Sequence, residues 1–216
     1  MGRKAAAAAA ALIITAAMIF ALYLAAGAHV GGGVCDICGY AFAPTEGLEY
    51  ELSGSGYTVT GAGSFISGTI VVPNEHNGLP VTAIGESAFA YSSAVSVALP
   101  SSVKTVSDRA FYMCTKLTSV TLGSASGIGE SAFEWCMSLK SLEIPASVTL
   151  IGPDAFARCT SLTNVTFAEP SGWRAVPSVT SAAGEDIPAS SLGRATAAAT
   201  LGEYSDCFLV RSGSDG

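Results

Sequence analysis

The side chains best suited to acid–base, nucleophilic or metal chemistry are few in this chain: two histidines and six cysteines among 216 residues. An enzyme needs a convergent set of titratable groups, and these do not form one in sequence. His29 sits at the end of an apolar stretch, and His76 lies in the turn Asn74-Glu-His76-Asn-Gly78, where a solvated loop imidazole is expected. Cys35-Asp-Ile-Cys38, followed by Gly39, has the form of half a zinc knuckle. Structural zinc needs four ligands, and only His29 is close. A disulfide or a linker relic are the competing readings, and a disulfide suits an exported chain. Cys114, Cys136 and Cys159 recur at 22- and 23-residue spacing and should form an inward ladder of small thiols, with a metal or a disulfide inside the ladder as alternatives. Cys207 has no evident partner. Gly127-Ile-Gly129-Glu-Ser-Ala132 fits the dinucleotide pattern G-x-G-x-x-A, but Ile84-Gly85-Glu-Ser-Ala88 repeats the same frame without the first Gly. The long strand–helix–strand context that such a loop requires is also missing. No G-x-S-x-G elbow, P-loop or H-E-x-x-H occurs. The expectation is no catalytic residue, no cofactor and no metal site.

The elements that position these residues come from a repeat. Ala-Phe recurs at Ala88-Phe89, Ala110-Phe111, Ala132-Phe133 and Ala155-Phe156, every 22 or 23 residues. Five residues before each Phe stands Ile84, Val106, Ile128 or Ile151, and three after it Ser92, Cys114, Cys136 or Cys159. An aliphatic triplet of the form L-x-x-L-x-L follows: Leu117, Val120, Leu122; Leu139, Leu142, Ile144; Leu162, Val165, Phe167. In the first copy it is one residue shorter, as Ala94, Val97, Leu99. A unit this short cannot bury its own apolar side, so the copies must stack as a solenoid. Alternation along a strand points Val120 and Leu122 inward and Ser119 and Thr121 outward. The Phe segment predicts one short helical turn on the opposite wall. Glu86, Asp108 and Glu130 suit its N-terminal end, Pro153 fills that slot in the last copy, and Gly85, Gly129 and Gly152 precede it.

The Ile-Gly-x-x-Ala-Phe and Cys-x-x-Leu-x-x-Val elements closely resemble the BspA-type leucine-rich repeats of microbial surface proteins. The resemblance runs from about Gly47 to Arg211 and departs from the pattern at Ser92, Ser107 and Gly123. It implies a leucine-rich-repeat solenoid with a parallel β-sheet on one face and short helical turns opposite. It further implies a secreted or surface-displayed binding module tied to adhesion, with no particular ligand.

Composition agrees with display outside the cytoplasm. The net charge is −7; without Arg3 and Lys4 the ten basic residues fall to eight against seventeen acids, a net −9. Such a balance argues against nucleic acid or an anionic membrane as the main ligand. Met1-Gly-Arg3-Lys4 is a basic start, residues 5–28 carry no charge, and Leu12 to Leu24 is strongly apolar. That core has signal-peptide length, and Ala26-Gly27-Ala28 offers a cleavage site. As a helix, residues 5–28 would also span about 36 Å, enough to cross a bilayer. Cleaved leader and retained anchor both stay open, and both put the repeats outside. The membrane is thus engaged only through this segment.

The organisation expected is a leader or anchor at 1–30, a linker with Cys-x-x-Cys at 31–46, and an N-terminal cap with a partial repeat at 47–80. Four repeats follow at 81–168, then a C-terminal cap at 169–211 and a disordered tail at 212–216. Leu48–Leu52 and Tyr57–Thr60 should form the capping β-hairpin. Trp173 should cover the last coil, the Ala-rich stretch to Leu201 should be helical, and Cys207–Val210 should be a closing strand in a mixed cap. The candidate binding face is the outward strand surface, in two columns: Ser96, Ser119, Ser141, Asn164 and Ala98, Thr121, Glu143, Thr166. Asn164-Val-Thr166 is also a glycosylation sequon, read as plain surface. The small residues of this face lack the Trp, Tyr and Arg anchors of tight interfaces. The function expected is an exported module for protein interaction or adhesion, its partner a protein or cell-surface ligand. The alternative is an envelope spacer without a specific ligand. Oligomeric state is left open.

Overall fold

Two strands per coil, not one, carry the repeat. The structure is a computed structural model and describes residues 44–63, 67–178, 184–193 and 197–212. The expected leader, His29, the Cys35–Cys38 pair and all of the tail but Ser212 lie outside the described residues.

The N-terminal cap is the antiparallel hairpin β1 (Glu49–Ser53) and β2 (Gly56–Gly61). A partial coil follows with β3 (Ser67–Val71), β4 (Glu75–His76) and β5 (Leu79–Ile84). The regular coils contribute β6 (Ser93–Ala98), β7 (Thr105–Val106), β8 (Ser119–Thr121) and β9 (Gly127–Ile128). They continue through β10 (Ser141–Ile144), β11 (Leu150–Ile151) and β12 (Asn164–Phe167). The C-terminal cap holds β13 (Trp173–Val176), β14 (Glu185–Asp186), a 3-10 turn (Ala189–Leu192), helix α1 (Ala197–Glu203) and β15 (Phe208–Arg211).

The aliphatic triplets form the expected parallel strands. Val97 registers with Val120 between β6 and β8, and Leu142 with Val165 between β10 and β12. These strands do not make one continuous ladder, because the sheet divides into β3-β6-β8 and β10-β12. The Ile and Val positions before each Phe make a second parallel ladder, in which Ile84, Val106, Ile128 and Ile151 stand in register along β5, β7, β9 and β11. This sheet takes in the caps at both ends. Strand β2 joins β5 in parallel, and β15 closes against β11 in the antiparallel sense, with β13 and β14 beyond it. Reversing direction ends the stack, since no further identical coil can pair there.

On the third wall the Phe segments are turns rather than helix. The N–H groups of Ser87, Phe89 and Tyr91 donate across to the carbonyls of Asp108, Ala110 and Tyr112 in the next coil, at 3.0, 2.8 and 2.8 Å. Bonds spent between coils cannot build an i→i−4 ladder. What remains within a coil is overlapping three-residue closures, such as Ala90 N to Ser87 O at 3.1 Å. The expected helix N-terminus is therefore absent from these segments. Asp108 Oδ1 instead accepts the N–H of Glu130 in the next coil at 2.9 Å. The glycines entering the turns serve close stacking. A Cβ on Gly129 would come within 2.6 Å of Asp108 N, and one on Gly152 within 2.6 Å of Glu130 N, although neither has a left-handed φ.

Inside these walls Phe89, Phe111, Phe133 and Phe156 form one column. Successive ring centroids are 5.2, 5.0 and 5.5 Å apart, with planes within 11° of parallel. Trp173 is buried as expected, its ring edge-on to Phe167 at 5.4 Å and its indole N–H donating to the Glu169 carbonyl at 3.0 Å. Ser212, expected in the tail, is tied to the cap by its N–H to Gly172 O at 3.1 Å.

Candidate functional site

The strand face is built by side chains that alternate with the buried triplets. Parallel register aligns Thr69, Ser96 and Ser119 in one column and Val71, Ala98 and Thr121 in the other. Beyond the break, Ser141 pairs with Asn164 and Glu143 with Thr166. The eight expected residues thus share one wall but two sheets. Ser141, Glu143 and Asn164 are exposed, and Ser96, Ser119, Thr121 and Thr166 are half-buried. Ala98 is only 5% exposed and presents almost nothing to a partner. Thr69 and Ser96 share a hydrogen bond at 2.7 Å, whereas the Ser119 hydroxyl is shielded without a partner among the described residues. Chemically the columns offer hydroxyls, one amide and one carboxylate, and beside them β6 exposes Val95.

The cysteine ladder is internal. Cys114, Cys136 and Cys159 are buried free thiols. Each donates to a Phe carbonyl of the preceding coil: Cys114 to Phe89 at 3.0 Å, Cys136 to Phe111 at 3.2 Å, and Cys159 to Phe133 at 3.1 Å. In the first coil Ser92 takes this slot, and its hydroxyl meets Cys114 Sγ at 3.2 Å. The ladder therefore seals coil to coil with a small apolar donor. Burial pushes the Cys159 thiol up to about 12, and contact with Cys114 together with burial also pushes Cys136 upward. Such thiols are poor nucleophiles. Cys207 is a half-buried free thiol beside Asp206, raised by burial and then by that carboxylate.

His76 is not the solvated loop residue expected. Asn77 and Gly78, with φ of 49° and 79°, make a tight turn that pairs β4 with β5 and lays the imidazole on the N-terminal cap. There it stacks on Tyr50 at 3.9 Å and meets the edge of Tyr57 at 4.9 Å. Among the described residues, no three or more His, Cys, Asp or Glu side chains gather in a way that could hold a metal ion. A cleft of about 370 Å³ opens between the last coil and α1, bordered by Asp154, Arg158, Cys159 and Leu201. Burial, with Glu134 and Asp206 nearby, holds the Asp154 carboxyl above its ordinary range.

Aromatic, Met and Arg side chains stand on the turn wall instead. Two residues after each repeat Phe come Tyr91, Met113, Trp135 and Arg158, all with left-handed φ between 55° and 62°. Tyr91 is 69% exposed and Met137 38%. Tyr91 meets Tyr112 of the next coil edge-on at 5.6 Å, and the Arg158 guanidinium lies 5.5 Å from the Trp135 ring centre. Sequence reasoning passed over this column, although its fixed offset from the repeat Phe marks it.

Residues 82–175 match the BspA type leucine rich repeat region in six copies. Similar solved structures include the leucine rich repeat protein TpLRR of T. pallidum, at 30% identity over 57% of this chain and 70% of that one, with a TM-score of 0.46. A leucine-rich repeat protein from Bacteroides capillosus is similar at 30% identity over 56% of this chain and 93% of that one, TM-score 0.48. The pneumococcal vaccine antigen PcpA is similar at 22% identity over 66% of this chain and 40% of that one, TM-score 0.46. No curated protein matches the sequence. Among the described residues no helix is long and apolar enough to cross a membrane.

Proposed function

The chain belongs to the BspA-type leucine-rich repeat family, and from that premise we propose that it is an exported module that presents its repeat walls to protein partners outside the cytoplasm. One observation carries the reading. The coils use their interior wholly as core and turn a regular array of side chains outward on exposed walls, a surface suited to docking rather than to enclosing a substrate. The basic start and the uncharged run over residues 5–28 support export, whether the segment is cleaved or retained as an anchor. The acidic excess disfavours nucleic acid as partner. Small strand-face side chains give weak affinity per molecule, raised by many copies on one surface.

Two measurements test the proposal. Residues 1–60 fused to a reporter should deliver it outside the cytoplasm of a bacterial host, and a reporter retained inside would sink the export claim. Beads coated with the repeat domain should attach to immobilised cell-surface or matrix proteins. Replacing Ser119, Thr121, Ser141 and Glu143 together with Lys should leave folding intact and lower attachment if the strand face takes part. Full attachment by the folded variant would assign the contact to another wall.

A further inference from the structure

We propose that the anchor of partner binding is the turn wall, where Tyr91, Tyr112, Met113, Trp135, Met137 and Arg158 form a ridge that fits a basic protein segment carrying apolar side chains. The inference rests on the binding-module reading above and names where such binding is strongest.

Three observations point there. The first is composition. Interface hot spots are built from Trp, Tyr and Arg, with Met adding adaptable contact. These types are missing from the strand columns and concentrated on this wall. Only five large apolar side chains among the described residues are exposed, and Tyr91 and Met137 are two of them. The second is backbone. Tyr91, Met113, Trp135 and Arg158 all occupy the left-handed region, where Gly or Asn sits without strain and bulky residues are rare. The turn geometry demands that φ but no large side chain, and Tyr91 and Arg158 are exposed. The third is continuity. Tyr91 N bonds Tyr112 O, Met113 N bonds Glu134 O, and Trp135 N bonds Ala157 O, at 2.8, 2.8 and 2.9 Å. These bonds fix the ridge residues at one coil spacing, and the Tyr91–Tyr112 and Trp135–Arg158 contacts join them across coils.

Charge selects the partner. The same turns carry Glu86, Asp108, Glu130, Glu134 and Asp154 against Arg109, Lys116 and Arg158. Glu86, Asp108 and Glu130 are exposed and aligned by the repeat. An acidic margin beside an aromatic ridge favours Lys and Arg through ion pairing and, over Tyr and Trp faces, through cation–π attraction.

Trp135 supplies the readout, because Trp173 is 2% exposed and silent to surface events. The probes are synthetic peptides of equal length and equal leucine content whose net charge runs from acidic to basic. Basic peptides should shift Trp135 emission to the blue and protect it from acrylamide quenching, and acidic ones should not. Tyr91→Asn with Met113→Asn, which suits the left-handed backbone, should weaken basic-peptide affinity at least tenfold while leaving the thermal midpoint unchanged or higher. Glu86→Gln with Glu130→Gln should reduce the preference for basic over acidic peptides. Thr121→Gln with Ser141→Gln, which adds bulk to the strand face without charge, should weaken basic-peptide affinity less than the ridge pair does. If the strand-face pair abolishes binding and the ridge pair does not, the inference is overturned while the binding-module reading stands. If no peptide perturbs Trp135, the ridge is not the anchor, and bead attachment then decides the broader reading by itself. Concentration-dependent protection of Trp135 without peptide would make a second copy the occupant, and overturn the basic partner.

Discussion

Phe133, like Phe111, is stacked on both sides, and its loss should damage the solenoid severely. It is fully buried, and its ring lies between Phe111 at 5.0 Å and Phe156 at 5.5 Å, nearly parallel to both. Truncating a buried Phe to Ala costs about 3–5 kcal/mol through lost transfer energy and the cavity left behind. Each aromatic pair adds roughly 0.5–1.5 kcal/mol beyond area burial, so Phe133→Ala, losing two, should fall in the upper half of that range. Phe156 is 8% exposed, stacks on one ring only and borders the cleft beneath the C-terminal cap. Phe156→Ala should therefore cost about 1 kcal/mol less, the value of one aromatic pair. Domain stabilities of about 5–15 kcal/mol make either loss plain at equilibrium. Urea unfolding followed by tryptophan emission measures it, with the slope checked against wild type because coils of a solenoid can unfold locally. A Phe133→Ala cost below about 1 kcal/mol, or a larger cost at Phe156 than at Phe133, would refute the stacked column as the shared core.

Gly129→Ala should destabilise by roughly 1–3 kcal/mol because the new methyl meets the backbone of Asp108 and Ser107. Gly127→Ala, with nothing within 4 Å of the added Cβ, should be neutral or stabilising by up to about 1 kcal/mol. Urea midpoints of the pair check both, and equal effects would reject the close coil contact at Gly129. Cys159 is held up to about 12 from an ordinary 9.0, so the unfolded chain releases this proton first as pH rises. Its contribution is complete below about pH 9 and is lost toward pH 12; Cys159→Ala should flatten that part of the stability–pH curve. A thiol reagent at neutral pH should label Cys207 in the folded protein and the three ladder thiols only on unfolding; ready labelling of the ladder would contradict its burial.

What the sequence made legible follows from repetition. Phe89, Phe111, Phe133 and Phe156 announce one core position because four coils place the same side chain in the same surroundings, and the buried column bears this out. The triplets announce strands for the same reason. Local chemistry was enough for the N-terminal hairpin, where Ser53-Gly-Ser-Gly56 separates two alternating runs, and β1 and β2 fall within a residue or so of the expected bounds. The Ile ladder was not legible. Thr105–Val106, Gly127–Ile128 and Leu150–Ile151 are two residues long, and one apolar side chain has no period. They are strands because neighbouring coils pair with them, which is a tertiary fact. The turn wall misled for a related reason. Good acids before Ala-Phe suggest a helix start, but the bonds that would close the helix run to the next coil.

The candidate site shows the same division between position and value. Alternation places Ser96, Ala98, Ser119, Thr121, Ser141, Glu143, Asn164 and Thr166 at equivalent strand positions, yet it says nothing of how far each stands out. Ala98, between the registered Val71 and Thr121, ends 5% exposed, and the ladder breaks between β8 and β10. Tyr91, Met113, Trp135 and Arg158 share a repeat position, marked by its offset from the Phe, but no residue type, so a motif of residue types does not group them. A left-handed φ has no sequence signal either when it falls on Tyr, Met, Trp or Arg rather than on Gly or Asn. Only the hydrogen-bonded stacking of coils turns four dissimilar residues into one ridge. In a solenoid the conserved-looking letters describe the inside, because the inside must be the same in every coil. Recognition is free to vary from coil to coil, and belongs to the exposed positions where the letters disagree.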